Sequence, residues 1–145
     1  MTSTHVAATV LDPRQVQRLS EGLVAFLETN TPPEGLFASD IFCDLSLPTW
    51  RLQTAGAAAI VKLRRDSHPA LGQVSQWRSD ALVDGFIFEF EERWTDAAGQ
   101  RWYSREMIRA RVADDRIAEM SIYCTGDWDQ AQQESHAAAV TLVRP

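Results

Sequence analysis

"VSQWRSDALVDGFIFEFEERW" runs from Val74 to Trp94, and its reading decides the fold class. Asp84-Gly85 is a strong signal for a two-residue hairpin turn. A turn there pairs Arg78 with Glu91 and Ser79 with Phe90. Alternation then sorts the side chains. Trp77, Ser79 and Ala81 share one face with Phe86, Phe88 and Phe90, and this apolar face is the one expected to be buried. Arg78 and Glu91 meet on the other face as opposite charges.

Downstream the strands continue. "TDAAGQ" (Thr95–Gln100) turns the chain into a strand from Arg101 to Val112. "ADD" (Ala113–Asp115) reads as a three-residue connection to a last strand, Arg116 to Thr125. That connection pairs Ala110 with Ala118, Ile108 with Met120, Glu106 with Ile122 and Ser104 with Cys124, and it puts one acid, Glu106, on the apolar face. The opposite face carries Tyr103, Arg105, Arg109, Arg111, Glu119 and Tyr123. "GDWDQAQQESHAAAVTLVRP" opens with capping aspartates and predicts a C-terminal helix.

Upstream the pattern is helical. Asp12 caps a helix with Pro13 at its first position and Gln15 able to reach back, followed by Val16, Leu19, Leu23, Phe26 and Leu27 at helical spacing. Pro32 and Pro33 stop it. "LFASDIFCDL" reads as a short helix running into a short strand. Thr54 or Gly56 opens a second long helix, "AAAIVKLRRDS", with Lys62, Arg64 and Arg65 in its last turns, where they suit the helix dipole. Residues 1–11 read as a flexible tail and residues 12–145 as one domain. Helices followed by a run of antiparallel strands argue for an α+β fold, a curved sheet wrapped around two or three helices with a cavity at its open end.

The totals narrow the partners. The chain has 145 residues, 45% hydrophobic and 23% charged, with a net charge of −6, which disfavours nucleic acid because phosphate binding needs a basic surface. No apolar run approaches the ~20 residues that span a bilayer. The N-terminus shows no secretory pattern, and two cysteines make no disulfide framework, so a cytoplasmic protein with reduced thiols is expected. Three scattered histidines suggest no metal site, and no phosphate loop or dinucleotide fingerprint implies a cofactor.

The element order, with "LFASDIFCDLSLPTW" between the helices and "DDRIAEMSIYCTGDWD" at the last strand, resembles the nuclear transport factor 2-like superfamily. The resemblance covers Asp12 to about Asp129 and implies a cone-shaped, cystatin-like fold, shared by ketosteroid isomerase, the SnoaL-like polyketide cyclases, dehydratases, epoxide hydrolases and non-catalytic binders. By this resemblance Asp44 matches the isomerase's catalytic base. The isomerase's helix tyrosine is missing at Leu19 or Leu23, and its second inward acid is missing near Ile108, with Glu106 one inward step away. The arginine and two aspartates of the epoxide hydrolases are absent from the corresponding positions. The resemblance therefore implies cofactor-free isomerisation, cyclisation or dehydration of an apolar polycyclic or aromatic molecule, without being a steroid isomerase or an epoxide hydrolase. The alternative is a non-catalytic binding or dimerisation module.

Asp44 reads in two ways: a base whose apolar neighbours raise its pKa, or an acceptor on a short edge strand. Glu106 is either its partner across the cavity or half of a salt bridge. Trp50 and Trp77 are expected to line the pocket, with Phe88, Phe90, Ile108, Met120, Ile122 and Cys124 from the inward faces. Trp94 and Trp102 read as core. Trp128 could close the mouth, with Asp127 as a polar neighbour, and His68 sits in a loop that could bring an imidazole there. The outer sheet face resembles the one by which this superfamily often dimerises, which implies a homodimer.

Overall fold

The computed structural model describes residues 9–145. Helix α1 (Pro13–Thr29) is followed by strands β1 (Phe37–Leu47) and β2 (Trp50–Ala55), helix α2 (Ala57–Ser67), strands β3 (Gly72–Ala81), β4 (Gly85–Thr95), β5 (Arg101–Ala113) and β6 (Arg116–Cys124), and helix α3 (Gln130–Ala139). The six strands form one sheet in the order β2-β1-β6-β5-β4-β3. All neighbours are antiparallel except β1 and β6, which run parallel and make the sheet mixed. Most of the tail expected over residues 1–11 lies outside the described residues; at its end the Leu11 N–H donates to the Leu82 carbonyl at 2.7 Å.

α1 forms as the sequence predicts. The Asp12 carboxylate accepts from the Arg14 N–H, Pro13 opens the helix, and Asn30 closes it in the left-handed region at φ 56°. Gln15 does not reach back to the cap; it donates instead to Asp115 in the distant β5–β6 turn. The buried stripe Val16, Leu19, Leu23, Phe26 and Leu27 packs across β3 and β4, while α2 packs on β1 and β2. The two helices and the inner sheet face enclose one core, in which Phe86, Phe88 and Phe90 are buried. No helix among the described residues is long and apolar enough to cross a membrane.

Three details differ from the sequence reading. "LFASDIFCDL" carries no helix: β1 begins at Phe37 and is eleven residues long, and it folds back on β2, an unexpected strand. The β3–β4 turn is Val83-Asp84, closed by the Leu82 N–H donating to the Gly85 carbonyl at 2.8 Å, so Arg78 pairs with Glu89 and Ser79 with Phe88. The β5–β6 turn is the pair Asp114-Asp115, both at positive φ (51° and 63°), with a bulge between Arg111 and Val112. Glu106 consequently pairs with Cys124, Ile108 with Ile122 and Ala110 with Met120. Both registers slip by two residues, so the side chains keep their predicted faces up to the bulge; beyond it the alternation of β6 changes phase and Ile117 is buried in the core.

Gly85 is glycine for a reason other than the turn. It lies inside β4 opposite Arg111, and a Cβ there would stand 1.8 Å from the Ala110 carbonyl oxygen. Gly99, at φ +81°, has open space around it. Gly85→Ala should lower stability by roughly 3 kcal/mol or more, because backbone must move. Gly99→Ala should cost only about 1 kcal/mol of backbone strain. Urea unfolding of both variants checks the contrast; equal losses would mean that Gly85 serves only as a turn residue.

Candidate functional site

Between the helices and the open end of the sheet lies a cavity of about 320 Å³. Its apolar walls come from α1 (Leu23, Phe26, Leu27), the inward residues of β1 (Cys43, Leu45, Leu47), Leu52 of β2, and Ile60 and Leu63 of α2. The long strands add Phe90, Ile108, Met120, Ile122 and Cys124. The polar groups are few: Arg64, Ser67 and His68 from α2 and its end, Glu106 from β5, and Asp127 after β6. An apolar pocket with a small number of convergent polar groups is the usual form of a small-molecule site.

Beneath these groups Arg64 and Glu92 form a buried ion pair, with side chains 12% and 5% exposed. Arg64 Nη2 donates to Glu92 Oε1 at 2.6 Å and Nη1 to Oε2 at 3.2 Å. The same guanidinium donates to the Leu27 carbonyl at 2.9 Å and to Asn30 Oδ1 at 3.1 Å. Asn30 in turn donates to the His68 carbonyl at 2.9 Å, and the His68 ring meets Trp94 edge-on at 4.9 Å, with Trp94 stacked on Trp102. His68 is thus a packed ring rather than a solvated loop residue.

Glu106 follows from the alternation of β5. Its remaining exposure is to the cavity, and Ser104 Oγ donates to its Oε1 at 3.2 Å. Burial, with the neighbouring charge of Glu92, pushes its carboxyl up to about 8. Burial likewise raises the Asp127 carboxyl, while burial and the charge of Arg64 hold the His68 imidazole below its usual range. Burial also pushes the Cys124 and Cys43 thiols up, to about 12 and about 11, which makes them apolar wall rather than nucleophile.

The other expected site residues lie elsewhere. Asp44 points away from the cavity: its neighbours Cys43, Leu45 and Leu47 face in, so it faces out. There it accepts from Arg51 Nε at 2.9 Å and from Gln53 at 3.2 Å, and the Arg51 hydrogen bonds hold its carboxyl below the ordinary value. The proposed buried base at Asp44 is therefore corrected to an outward ion pair. Trp50 is 67% exposed at the start of β2 and does not line the cavity. Trp77 packs on Phe88 at 5.6 Å, and both belong to the core. Trp128 pairs with Tyr103 and borders a separate shallow depression that shares Pro48, Gly126 and Asp127 with the cavity rim.

Sequence reading missed Glu92 and Arg64 as site residues. The signal for Glu92 was present, since Phe86, Phe88 and Phe90 continue by twos to Glu92. Arg64 carried no such signal, because a basic residue in the last turn of a helix has a sufficient local explanation. Among the described residues no cluster of histidine, cysteine and acidic side chains is arranged to hold a metal ion.

No protein-family model and no curated protein matches the chain. Solved structures do. A nuclear transport factor 2-like protein from Anabaena variabilis superposes with a TM-score of 0.65 at 17% identity, covering 88% of this chain and 97% of its own. A candidate isomerase from Rhodopseudomonas palustris gives 0.62 at 12%, covering 90% and 100%. An LEH-like epoxide hydrolase of M. tuberculosis gives 0.60 at 15%, covering 77% and 83%. The chain has the nuclear transport factor 2-like fold, a fold that hosts enzymes.

A pH dependence of stability follows from Glu106. Its folded-state pKa is raised from 4.5 to about 8, so the folded chain holds a proton that the unfolded chain has released, and folding loses stability as pH rises between those values. Glu106→Gln removes this loss. Its thermal midpoint should gain on the wild type from about pH 5 to about pH 8; a constant gap across that range would show that Glu106 is ordinary in its titration.

Proposed function

We propose that the cavity binds a small, largely apolar molecule and moves a proton on it without a cofactor, in an isomerisation, dehydration or cyclisation. The observation that carries this reading is Glu106, a carboxyl held protonated near neutrality and facing an otherwise apolar cavity. A protonated carboxyl can donate to a carbonyl or a leaving hydroxyl, and low dielectric strengthens that hydrogen bond. Asp127 and neutral His68 stand on the same rim as the groups able to take a proton from carbon. The balance is simple. A C–H proton passes to Asp127 or His68, and Glu106 hydrogen-bonds or protonates the ligand's oxygen. Either the proton returns to a second carbon, or a C–O bond breaks and water leaves.

The fold-level likeness to a candidate isomerase and an epoxide hydrolase supports a role in chemistry rather than naming the reaction. Apolar cyclic ketones, enones and β-hydroxy ketones that fit the cavity are the compounds to screen, with turnover followed by NMR in D₂O. For a compound that reacts, Glu106→Gln should lower kcat by roughly 10²-fold or more with little loss of binding. The wild-type rate should fall as pH rises through about 8, where the donor ionises. Unchanged turnover in Glu106→Gln would remove Glu106 from the chemistry. Tight binding across the screen with no turnover would favour the plain binder.

We also infer a homodimer through the outer sheet face. Met107 and Tyr123 sit side by side there, 39% and 60% exposed, among ion pairs Arg105–Glu89, Arg109–Asp84 and Arg111–Glu119. Mixed charge around exposed apolar side chains suits a self-complementary two-fold contact. Sedimentation at micromolar concentration should show twice the chain mass, and Arg109→Glu should weaken the association. A species of single-chain mass at all concentrations would refute it.

A further inference from the structure

Glu92 and Glu106 occupy the same inner face of adjoining strands. Glu92 lies opposite Ser104, and Ser104 donates to Glu106 two residues along β5. These two carboxyls have one arginine between them, and it does not treat them alike. Arg64 grips both oxygens of Glu92, at 2.6 Å and 3.2 Å. Its other hydrogen bonds, to the Leu27 carbonyl and Asn30 Oδ1, tie the guanidinium to the end of α1 and keep it from swinging across. Glu106 receives no guanidinium: Ser104 gives it a neutral hydroxyl, and its other close polar neighbours are the Glu92 carboxylate and the Cys124 thiol.

We propose that Arg64 and Glu92 are positioning residues whose ion pair holds the negative charge of this two-carboxyl unit on Glu92 and leaves the proton on Glu106, where it faces the cavity. The proposal rests on the reading of Glu106 as proton donor and adds what makes it one. A bidentate guanidinium stabilises a carboxylate far more than a hydroxyl does, so the first proton to bind goes to the carboxyl that lacks the fork. Once Glu92 is a fixed charge, like-charge repulsion adds to burial in disfavouring ionisation of Glu106.

The charged and titratable groups around Glu106 are few. Arg64 and His68 come from α2, Glu92 from β4, and Cys124 and Asp127 from the end of β6. The α1 wall is apolar at Leu23, Phe26 and Leu27. Burial raises the Glu106 carboxyl most, the charge of Glu92 raises it further, and Arg64, whose fork is turned to Glu92, pulls it down by less than either.

Carboxyl ¹³C NMR titration of the whole chain tests this without any substrate. In the wild type one resonance should titrate near 8 and vanish in Glu106→Gln. In Glu92→Gln, which keeps the shape and removes the charge, that resonance should titrate at least about one pH unit lower, because the like-charge repulsion is gone while the positive charge of Arg64 remains nearby. A purely structural ion pair would lower the melting temperature in Glu92→Gln and leave the Glu106 midpoint where it was, and that result overturns the proposal alone. A wild type with no carboxyl titrating above about pH 6 overturns the donor reading itself, and the proposal with it. Should Glu92→Gln fail to fold, Arg64→Lys decides. A lysine keeps the charge without the fork and is free to approach either carboxyl, so the Glu106 resonance should titrate lower than in the wild type. An unchanged Glu106 midpoint would overturn the proposal.

Discussion

Arg64 is the residue on which the rest of the structure turns. One guanidinium joins three elements: it sits on α2, closes the end of α1 through Leu27 and Asn30, and pairs with Glu92 on β4. Removing a charge from water is expensive, and only an equally buried partner with good geometry offsets it. Glu92 is that partner, and Asn30 and the Leu27 carbonyl take up two of the three remaining donors. The helices are therefore held to the sheet by a polar fastening at the open end and by apolar packing of Phe86, Phe88 and Leu19 deeper in.

That division shapes the cavity. Where the packing of α1 against β3 and β4 is closest, the core is continuous. Where α2 packs over β1 and β2, space remains, walled by leucines, with Arg64 at its edge. The cavity wall is hydrocarbon on most sides, with few hydrogen-bonding groups, the form usual for a small-molecule site. Arg64 turns its fork to Glu92 and not to Glu106, whose carboxyl is raised first by burial and then by the charge of Glu92.

Much of the fold was legible in the sequence. Asp12-Pro13 marked the start of α1, the phenylalanines of β4 marked the inner face, and the spacing of Val16 to Leu27 marked the helix stripe. The turns were less legible. Asp84-Gly85 looked like a hairpin turn, yet Gly85 is needed inside β4 for the close approach of Ala110, which moves the turn back by one residue and the register by two. β2 was hidden because its residues at Leu52 and Gln53 carry little β-branched signal and the strand is only six residues long. The site was half legible. Strand alternation put Glu106 inward, and the same rule, applied to "FCDLSL", puts Asp44 outward; reading that stretch as a continuous apolar wall obscured it.

The sequence by itself determined the periods: which residues lie on one side of each helix and strand, and hence that Glu106 and Phe90 share the buried face. Those are local facts, fixed by 3.6- and two-residue repeats along a single element. Only the tertiary structure decided which elements meet. The parallel contact of β1 with β6 and the reach of Arg64 to Glu92, twenty-eight positions away, are long-range pairings. Neither leaves a periodic trace in the chain, because the partner of a buried charge is chosen by where helix and sheet come to rest, and that is set by packing the whole core at once.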